Sequence, residues 1–482
     1  MSYKRKKTKI VATLGPSIST KEMLLKMVET GVNVFRINFS HADYEDVKTR
    51  IKLIREINDE YGFNASILAD LQGPKLRVGV MKDDVVVAPG DEIVFATGER
   101  FEGTKNRVFM TYDRFPLDTK KGENILLDDG KLLFEVLSTN LKDEVKTKVI
   151  QGGALKSKKG VNLPNTDISQ PALTEKDKED ALFAINQEVD WMALSFVRNP
   201  EDLIELQALI SEHSSCKIPI IAKIEKPEAV KNIDQIIAYC DGLMVARGDL
   251  GVEVPAHQVP LIQKELVLKA KKARIPVIIA TQMMESMITS LTPTRAEVND
   301  VANSVMDGAD AVMLSGETSV GQYPVQVIEK MSNIIKTVEN SNLINVPQNP
   351  PQIRTKRYIT KSICFHAANM ANEINARAIS TLTNSGYTAF QISAWRPDAH
   401  ILVFSSNRRI ISQLNLLWGV RAFYYDKFAS TDETINDVNK IAYEKGYVES
   451  EDMVISLAAM PMKEKGMVNT LRVSEIKDHS KS

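Results

Sequence analysis

The chain has 482 residues, 43% of them hydrophobic and 26% charged, which suits a soluble protein of about three domains with real cores. Sixty-one basic residues against 62 acidic ones leave a formal charge of −1, so nothing points to a nucleic-acid partner or an anionic membrane. Three isolated cysteines (Cys216, Cys240 and Cys364), no signal-peptide core and no apolar run of membrane-spanning length predict a cytoplasmic protein without disulfides.

From the N-terminus, short apolar stretches alternate with amphipathic helices. They are "KIVATL" (Lys9–Leu14), "NVFRI" (Asn33–Ile37), "SILAD" (Ser66–Asp70) and "WMALSF" (Trp191–Phe196), then "PIIAKI" (Pro219–Ile224), "GLMVA" (Gly242–Ala246), "PVIIAT" (Pro276–Thr281) and "AVMLS" (Ala311–Ser315). Strands this apolar predict a parallel sheet buried on both faces, and eight such units are the number that closes a TIM barrel. The rhythm breaks between Gly73 and about Ser169, where "DDVVVAPGDEIVFATG" and "ILLDDGKLLFEVL" alternate and turn. This stretch predicts antiparallel hairpins, inserted at a βα loop on the barrel's active face as a lid. After Ser341, "NLINVPQNPPQIR" reads as a linker, and "RAISTLT", "HILVFS", "VRAFYY" and "MVISLAA" as strands of a smaller α/β domain. The expected fold is therefore α/β: a (β/α)8 TIM barrel over 1–72 and 170–341, an all-β lid over 73–169 and a C-terminal α/β domain over 342–482.

Polar residues gather at the strand ends. Arg36, Asn38, Ser40 and His41 follow the second strand; Asp70, Lys75 and Arg77 the third; Ser195 and Arg198 the fourth. Lys223 and Glu225 follow the fifth, Arg247 and Asp249 the sixth, Thr281 and Gln282 the seventh, Ser315 and Glu317 the eighth. A barrel carries its chemistry at these ends. A barrel-mouth salt bridge would explain Lys223 alone, but not the whole set. Glu225 and Asp249 offer hard oxygen ligands from adjacent strands, suited to Mg²⁺ with Mn²⁺ as a substitute. No histidine pair has zinc spacing. Arg36, Arg77, Lys223 and Arg247 supply positive charge, and "RGD" opens a helix where an anion docks. Such equipment suits phosphoryl transfer, without the "GxxxxGK[ST]" loop of P-loop proteins.

"KIVATLGPS", "RINFSH", "SKKGVNLP", "KIEKPE", "VARGDLGVE", "ATQMMESM", "PTRAEVNDVANSVMDGADAVMLSGETSVGQYP" and "NTLRV" together resemble the pyruvate kinases, in that family's order, over about residues 8–475. The resemblance implies transfer of the phosphoryl group of phosphoenolpyruvate to ADP, giving pyruvate and ATP in the last step of glycolysis, by a homotetramer. It implies Glu225 and Asp249 as the Mg²⁺ ligands, and Lys223 on the phosphoryl group in flight with Arg36 and Arg77 assisting. Backbone groups near Ala246, Gly248 and Asp249, with Thr281, resemble the cradle for the pyruvate carboxylate. Thr281 with a water, aided by Ser315 and Glu317, is implied in protonating the enolate. Asn38, Ser40, Asp70 and the carbonyl of Leu71 match the family's monovalent-cation site. Asn38, His41, Arg77 and Lys159 resemble nucleotide contacts, and Asp128 sits in the lid's "DDG" turn.

"ADLQGPKLR" (Ala69–Arg77) departs from the family's commoner "DTKGPEIR" by Leu71, Gln72 and Lys75, with Val78 following. These changes resemble the potassium-independent branch: the Lys75 ammonium would stand in for K⁺ and leave the K⁺ site vestigial. In "TLTNSGYTA", the residues Thr383, Asn384, Ser385, Gly386 and Thr388 resemble the loop that holds the phosphate of a sugar-phosphate or nucleotide effector, although helix capping accounts for the same residues. The closing loop "AAMPMKEKGMVNT" lacks the aromatic and Gly-rich pieces expected for fructose 1,6-bisphosphate. Two other readings stand beside this one. A Mg²⁺-dependent barrel lyase or aldolase acting on a 2-oxo acid would also use the strand-end carboxylates, and a metabolite-sensing binding protein would require a lost catalytic residue, whereas Lys223, Glu225, Asp249 and Thr281 are all present.

Overall fold

The structure, a computed structural model, describes residues 6–82, 85–341, 343–344, 346, 350–351, 357–427, 430–460 and 467–477, except for the side chains of His41 and Thr431. Three strands open the chain: β1 (Lys9–Thr13), β2 (Val34–Asn38) and β3 (Ser66–Asp70). Eight short strands follow: β4 (Val85–Val87), β5 (Glu92–Ala96), β6 (Arg107–Phe109), β7 (Asn124–Leu127), β8 (Leu132–Thr139), β9 (Glu144–Gln151), β10 (Gly153–Leu155) and β11 (Val161–Asn162). Next come β12 (Trp191–Leu194), β13 (Ile220–Ile224), β14 (Gly242–Ala246), β15 (Val277–Ala280) and β16 (Ala311–Leu314). The last group is β17 (Ala378–Leu382), β18 (His400–Ser405), β19 (Val420–Tyr424), β20 (Met453–Ala458) and β21 (Thr470–Glu475).

The first three strands and β12–β16 close a parallel barrel in the order β1-β16-β15-β14-β13-β12-β3-β2. Apart from β2, every barrel strand is buried at all its positions, as a sheet covered by helices on one side and filled by side chains on the other requires. In β2 the half-exposed positions are Arg36 and Asn38, both facing the chemistry described below. Helix starts are set locally. Thr174 with Asp177, Asn199 with Asp202 and Thr294 with Glu297 each form a reciprocal capping box, which satisfies N–H groups that a helix start leaves unpaired.

The insertion between β3 and β12 forms a six-stranded sheet, β11-β7-β8-β9-β5-β6, and a separate pair β10-β4. Alternate residues of β8 and β9 are buried around Phe95, Phe115 and Phe134. This matches the expected inserted β domain, with one difference. The β5 and β6 strands run parallel, Val94 opposite Arg107, so this pair is not a hairpin. The C-terminal sheet runs β19-β18-β17-β20-β21, and its last strand is an antiparallel edge that the sequence reading did not identify.

That C-terminal domain plugs the bottom of the barrel. Leu416 joins Val11, Val34, Leu68, Ile221 and Met244 inside it. The Trp191 indole N–H donates to Gln413 O at 3.0 Å, and Lys9 Nζ to Val420 O at 2.8 Å. Asn415 Nδ2 donates to the carbonyls of Asn33 and Asn64. The opposite rim is thereby left to the lid. Among the described residues no helix is long and apolar enough to cross a membrane.

Candidate active site

At the C-terminal end of β13, Lys223 is buried among oxygens from three neighbouring strand ends. Its Nζ donates to Ser195 Oγ at 2.6 Å and pairs with Glu225 Oε1 at 2.9 Å and Asp70 Oδ1 at 3.1 Å. Burial opposes the ammonium charge, but Asp70 and Glu225 outweigh it and raise the lysine above its ordinary pKa. Lys223 is thus a fixed cation. Asp70 also binds Arg36, Oδ2 to Nε at 2.6 Å, and Arg36 reaches Thr13 Oγ1 at 3.0 Å. Burial would push the Asp70 carboxyl up; Lys223 and Arg36 instead hold it below its ordinary value.

Glu225 accepts the Phe196 N–H on Oε2 at 2.8 Å. Burial raises its carboxyl, Lys223 pulls it back, and the negative charge of Asp249 raises it again. Two carboxylates close enough to repel are what a divalent cation would neutralise, and each bound oxygen keeps a second lone pair for it. Asp249 stands in the first turn of the helix Arg247–Glu253 and is exposed. It borders a cleft of about 580 Å³, open to solvent, that Lys75, Asp129, Asn162 and Arg198 also line. A wider cleft of about 1780 Å³, also open to solvent, continues past Asp249 to Arg247, Gly248, Gln282 and Asp300.

Opposite Asp249, Thr281 takes a positive φ of 68° and Gln282 one of 54°. A β-branched residue avoids this conformation unless its surroundings impose it. Here Arg247 Nη2 donates to Thr281 O at 2.8 Å while Arg247 Nη1 is held by Asp300 at 2.6 Å. Thr281 Oγ1 accepts the Gly248 N–H at 2.7 Å and donates to Ala280 O at 2.6 Å. A Cβ on Gly248 would lie 3.2 Å from Thr281 Oγ1, so the glycine permits this approach.

Other expected site residues stand elsewhere or are otherwise engaged. Glu317 is buried, and its carboxylate accepts the Ser315 N–H at 2.7 Å and the Met284 N–H at 3.2 Å. Burial raises its carboxyl, and its contacts brace the loops after β15 and β16. Arg77 lies at the lid base and donates to Lys158 O at 3.0 Å. Lys159 pairs with Asp128 at 2.8 Å within the lid. Asn38 Oδ1 accepts the Ser40 N–H at 3.2 Å, and Leu71 O accepts Ser195 Oγ–H at 2.6 Å. The side chain of His41 falls outside the described residues. Lys75 is exposed and makes no ion pair among the described residues. In the C-terminal domain, Thr383 Oγ1 accepts the Gly386 N–H at 3.0 Å, Asn384 and Ser385 are exposed and Thr388 is buried. Much of the closing loop (461–466) is outside the described residues.

Ser195 and Asp300 received no role from the sequence. A strand-end position marks Ser195, but its bonds to Lys223 and Leu71 need the folded barrel. Asp300 holds Arg247 across 53 residues, a pairing with no local signal.

The model of the pyruvate kinase barrel domain matches residues 5–328, and that of the pyruvate kinase alpha/beta domain matches residues 361–474. The pyruvate kinase of Corynebacterium efficiens is 42% identical over 468 residues, 97% of each chain. That of Geobacillus stearothermophilus is 41% identical over 480 residues, 98% of this chain and 81% of its own. Among solved structures, a pyruvate kinase from Cryptosporidium parvum superposes with a TM-score of 0.91 at 32% identity, covering 98% of this chain and 96% of that one. None of these relatives is a lyase or an aldolase, and that reading is set aside. With the closed barrel, its inserted lid and the charged rim at Lys223, these matches lead to one conclusion: the chain belongs to the pyruvate kinase family.

Proposed function

We propose that the rim around Lys223 is where this chain moves the phosphoryl group from phosphoenolpyruvate to ADP, the reaction that gives pyruvate and ATP. Pyruvate kinases generally use Mg²⁺, often with K⁺, bind these two substrates and are generally tetrameric. The observation that carries the assignment of residues is the buried Lys223, kept charged by Asp70 and Glu225 and pointing with Ser195 to the active end of the barrel.

Glu225 and Asp249 would hold the Mg²⁺. That ion, or Mn²⁺ in its place, supplies charge neutralisation and a template that lines up substrate oxygens. Both substrates are anions, so the protein's own task is to offset their repulsion. Lys223 brings fixed positive charge to the phosphoryl group in flight, and Arg36, oriented by Asp70 and Thr13, brings a second. Arg77, on the lid base, would join them as the lid closes and water leaves. The start of the helix Arg247–Glu253, with the N–H groups near Ala246, Gly248 and Asp249, suits the substrate carboxylate. Thr281 Oγ1, held by Gly248, would pass a proton through a water to the enolate. Ser315 and Glu317 assist by keeping the loops beside it in place. Asn38, His41, Arg77 and Lys159 would face the nucleotide.

Lys75 supports a reaction that does not need K⁺. It borders the same cleft as Asp249, where its ammonium can bring the positive charge that a free K⁺ would otherwise supply. A homotetramer in the cytoplasm, with a phosphorylated effector at the Thr383–Thr388 loop, completes the proposal.

A lactate-dehydrogenase-coupled assay with phosphoenolpyruvate, ADP and Mg²⁺ tests it. Lys223→Met should lower ATP formation by roughly a thousandfold, as loss of a preorganised charge does, while proton exchange at the methyl of pyruvate stays largely intact. A variant that keeps its transfer rate within tenfold would remove Lys223 from the centre of the reaction.

A further inference from the structure

The lid's exit strand meets the barrel at a buried polar contact for which the roles above have no use. Asn162, in β11, donates Nδ2–H to Glu253 Oε1 at 2.9 Å. The same oxygen pairs with Lys226 Nζ at 2.7 Å. Lys226 is 4% exposed and Glu253 5%, so the pair is desolvated, and removing one partner would strand the other. Glu253 Oε2 is also buried and has no hydrogen-bond partner among the described residues. The carboxylate is therefore held from one side only, by the oxygen that both the lid and Lys226 share.

Its place in the chain gives the contact its meaning. Lys226 directly follows Glu225, and Glu253 ends the seven-residue helix whose first turn carries Asp249. The lid comes near that helix a second time, where Asp129 lines both clefts that Asp249 borders. One carboxylate oxygen thus joins the lid base to both segments that bear the acidic pair.

We propose that Asn162, Glu253 and Lys226 form a latch that seats the base of the lid on the barrel rim and keeps the segments carrying Glu225 and Asp249 in register, with Glu253 as its positioning residue. The second half of this statement rests on the reading of Glu225 and Asp249 as the metal-holding pair; the first half rests on the contact alone.

The test compares the full-length chain with Asn162→Ala, which leaves the buried ion pair intact. Hydrogen exchange is followed at the lid-base amides Leu76–Val78 and Gly160–Asn162, and turnover is scored as pyruvate formed per ATP formed. Asn162→Ala should speed exchange roughly tenfold, the factor that about 1.4 kcal/mol of lost charge-assisted hydrogen bonding gives. It should also raise the pyruvate-to-ATP ratio above one, because an unseated lid admits water in place of ADP as the acceptor, giving pyruvate and inorganic phosphate. The turnover number should fall more than the KM for phosphoenolpyruvate changes, and Asn162→Gln, which keeps an amide donor, should recover most of the protection. Wild-type exchange and one ATP per pyruvate in Asn162→Ala would overturn the latch. Mn²⁺ binding, read by water-proton relaxation, separates the two readings. Glu253→Gln should weaken it severalfold without touching a proposed ligand, and unchanged Mn²⁺ affinity there would overturn the coupling to the acidic pair. If Glu253→Gln does not fold, Glu253→Gln with Lys226→Met, which removes both charges, takes its place under the same criterion. Unchanged Mn²⁺ binding in Glu225→Gln would sink the metal assignment, while the exchange data would still decide the latch.

Discussion

A cation tethered to the chain and one recruited from solution carry the same charge but differ in the entropy of ordering them. Lys75 is positioned to exploit that difference. It is exposed at the cleft that Asp249 borders, two residues past the positive-φ glycine Gly73. A side chain at Gly73 would meet Phe196 Cδ2 at 2.8 Å and Ser195 Cβ at 3.0 Å, so the turn that delivers Lys75 depends on that glycine. Asp70, five residues before Lys75, does not face the cleft as a free ligand; Arg36 and Lys223 take both its oxygens. We therefore expect turnover in tetramethylammonium buffer to change less than twofold on adding KCl. Lys75→Glu should lower the K⁺-free rate on the order of a hundredfold, the scale of losing one preorganised charge, and KCl should restore much of it. A large KCl stimulation of the unaltered chain would contradict this.

Secondary elements here are tied to one another through their ends, and Glu297 is the clearest case. Its carboxylate accepts the Thr294 N–H at 2.7 Å and Thr294 Oγ–H at 2.9 Å, closing the capping box of the helix Arg295–Met306. It also accepts the Ser286 N–H at 2.7 Å and Ser286 Oγ–H at 2.5 Å, fixing the turn Glu285–Ile288 that follows Thr281. Glu297→Ala should cost about 2–3 kcal/mol, more than the ~1 kcal/mol of a lost cap, because hydrogen bonds to a charged acceptor go with it. Urea denaturation measures this; a loss no larger than that of Thr294→Ala would show that the Ser286 bonds contribute nothing. The capping box is visible in the sequence as "TRAE", since its two partners lie three residues apart. The Ser286 contact is not, because it spans a turn of irregular backbone. The same distinction runs through the fold. Barrel strands are legible because burial on both faces leaves unbroken apolar runs, and their polar ends stand out against those runs. The parallel β5–β6 pair and the edge strand β21 were missed because nothing local encodes strand direction or edge position. The bracing contacts of Glu317, the pairing of Asp300 with Arg247 and the positive φ of Thr281 depend on which loops meet above the barrel, which only the closed fold decides.

At the scale of the molecule, the barrel and the C-terminal domain are joined through buried basic side chains. Lys6 donates to Asn33 Oδ1 at 2.6 Å and to Thr8 O, while Arg421 reaches back to the Lys6 carbonyl at 2.9 Å. Burial first, and then the charge of Arg421, with Lys336 adding to it and Glu339 opposing, bring Lys6 down to about 7. Burial and Arg421 likewise lower Lys9 well below its ordinary value. Burial and Arg396 bring Lys271 to about 7 beside Asp310. In the unfolded chain these lysines titrate near 10.5, so between pH 7 and that value the unfolded state binds more protons. Stability must then rise with pH over this window, by on the order of 2 kcal/mol for Lys6 between pH 7 and 9. Above about pH 9 the trend is opposed, because burial pushes the thiols of Cys240 and Cys364 up to about 12 and the unfolded chain, unlike the folded one, ionises them there. The urea midpoint should therefore climb from pH 7 to 9 and climb more slowly above it. Lys6→Met should remove its share of the climb and leave the cysteine-driven slowing above pH 9 in place. A flat or falling midpoint between pH 7 and 9, or an unchanged slope in Lys6→Met, would mean that these ammonium groups keep their protons and their water, and that the barrel and the C-terminal domain are not sealed together as the buried contacts of Lys6 and Lys9 require.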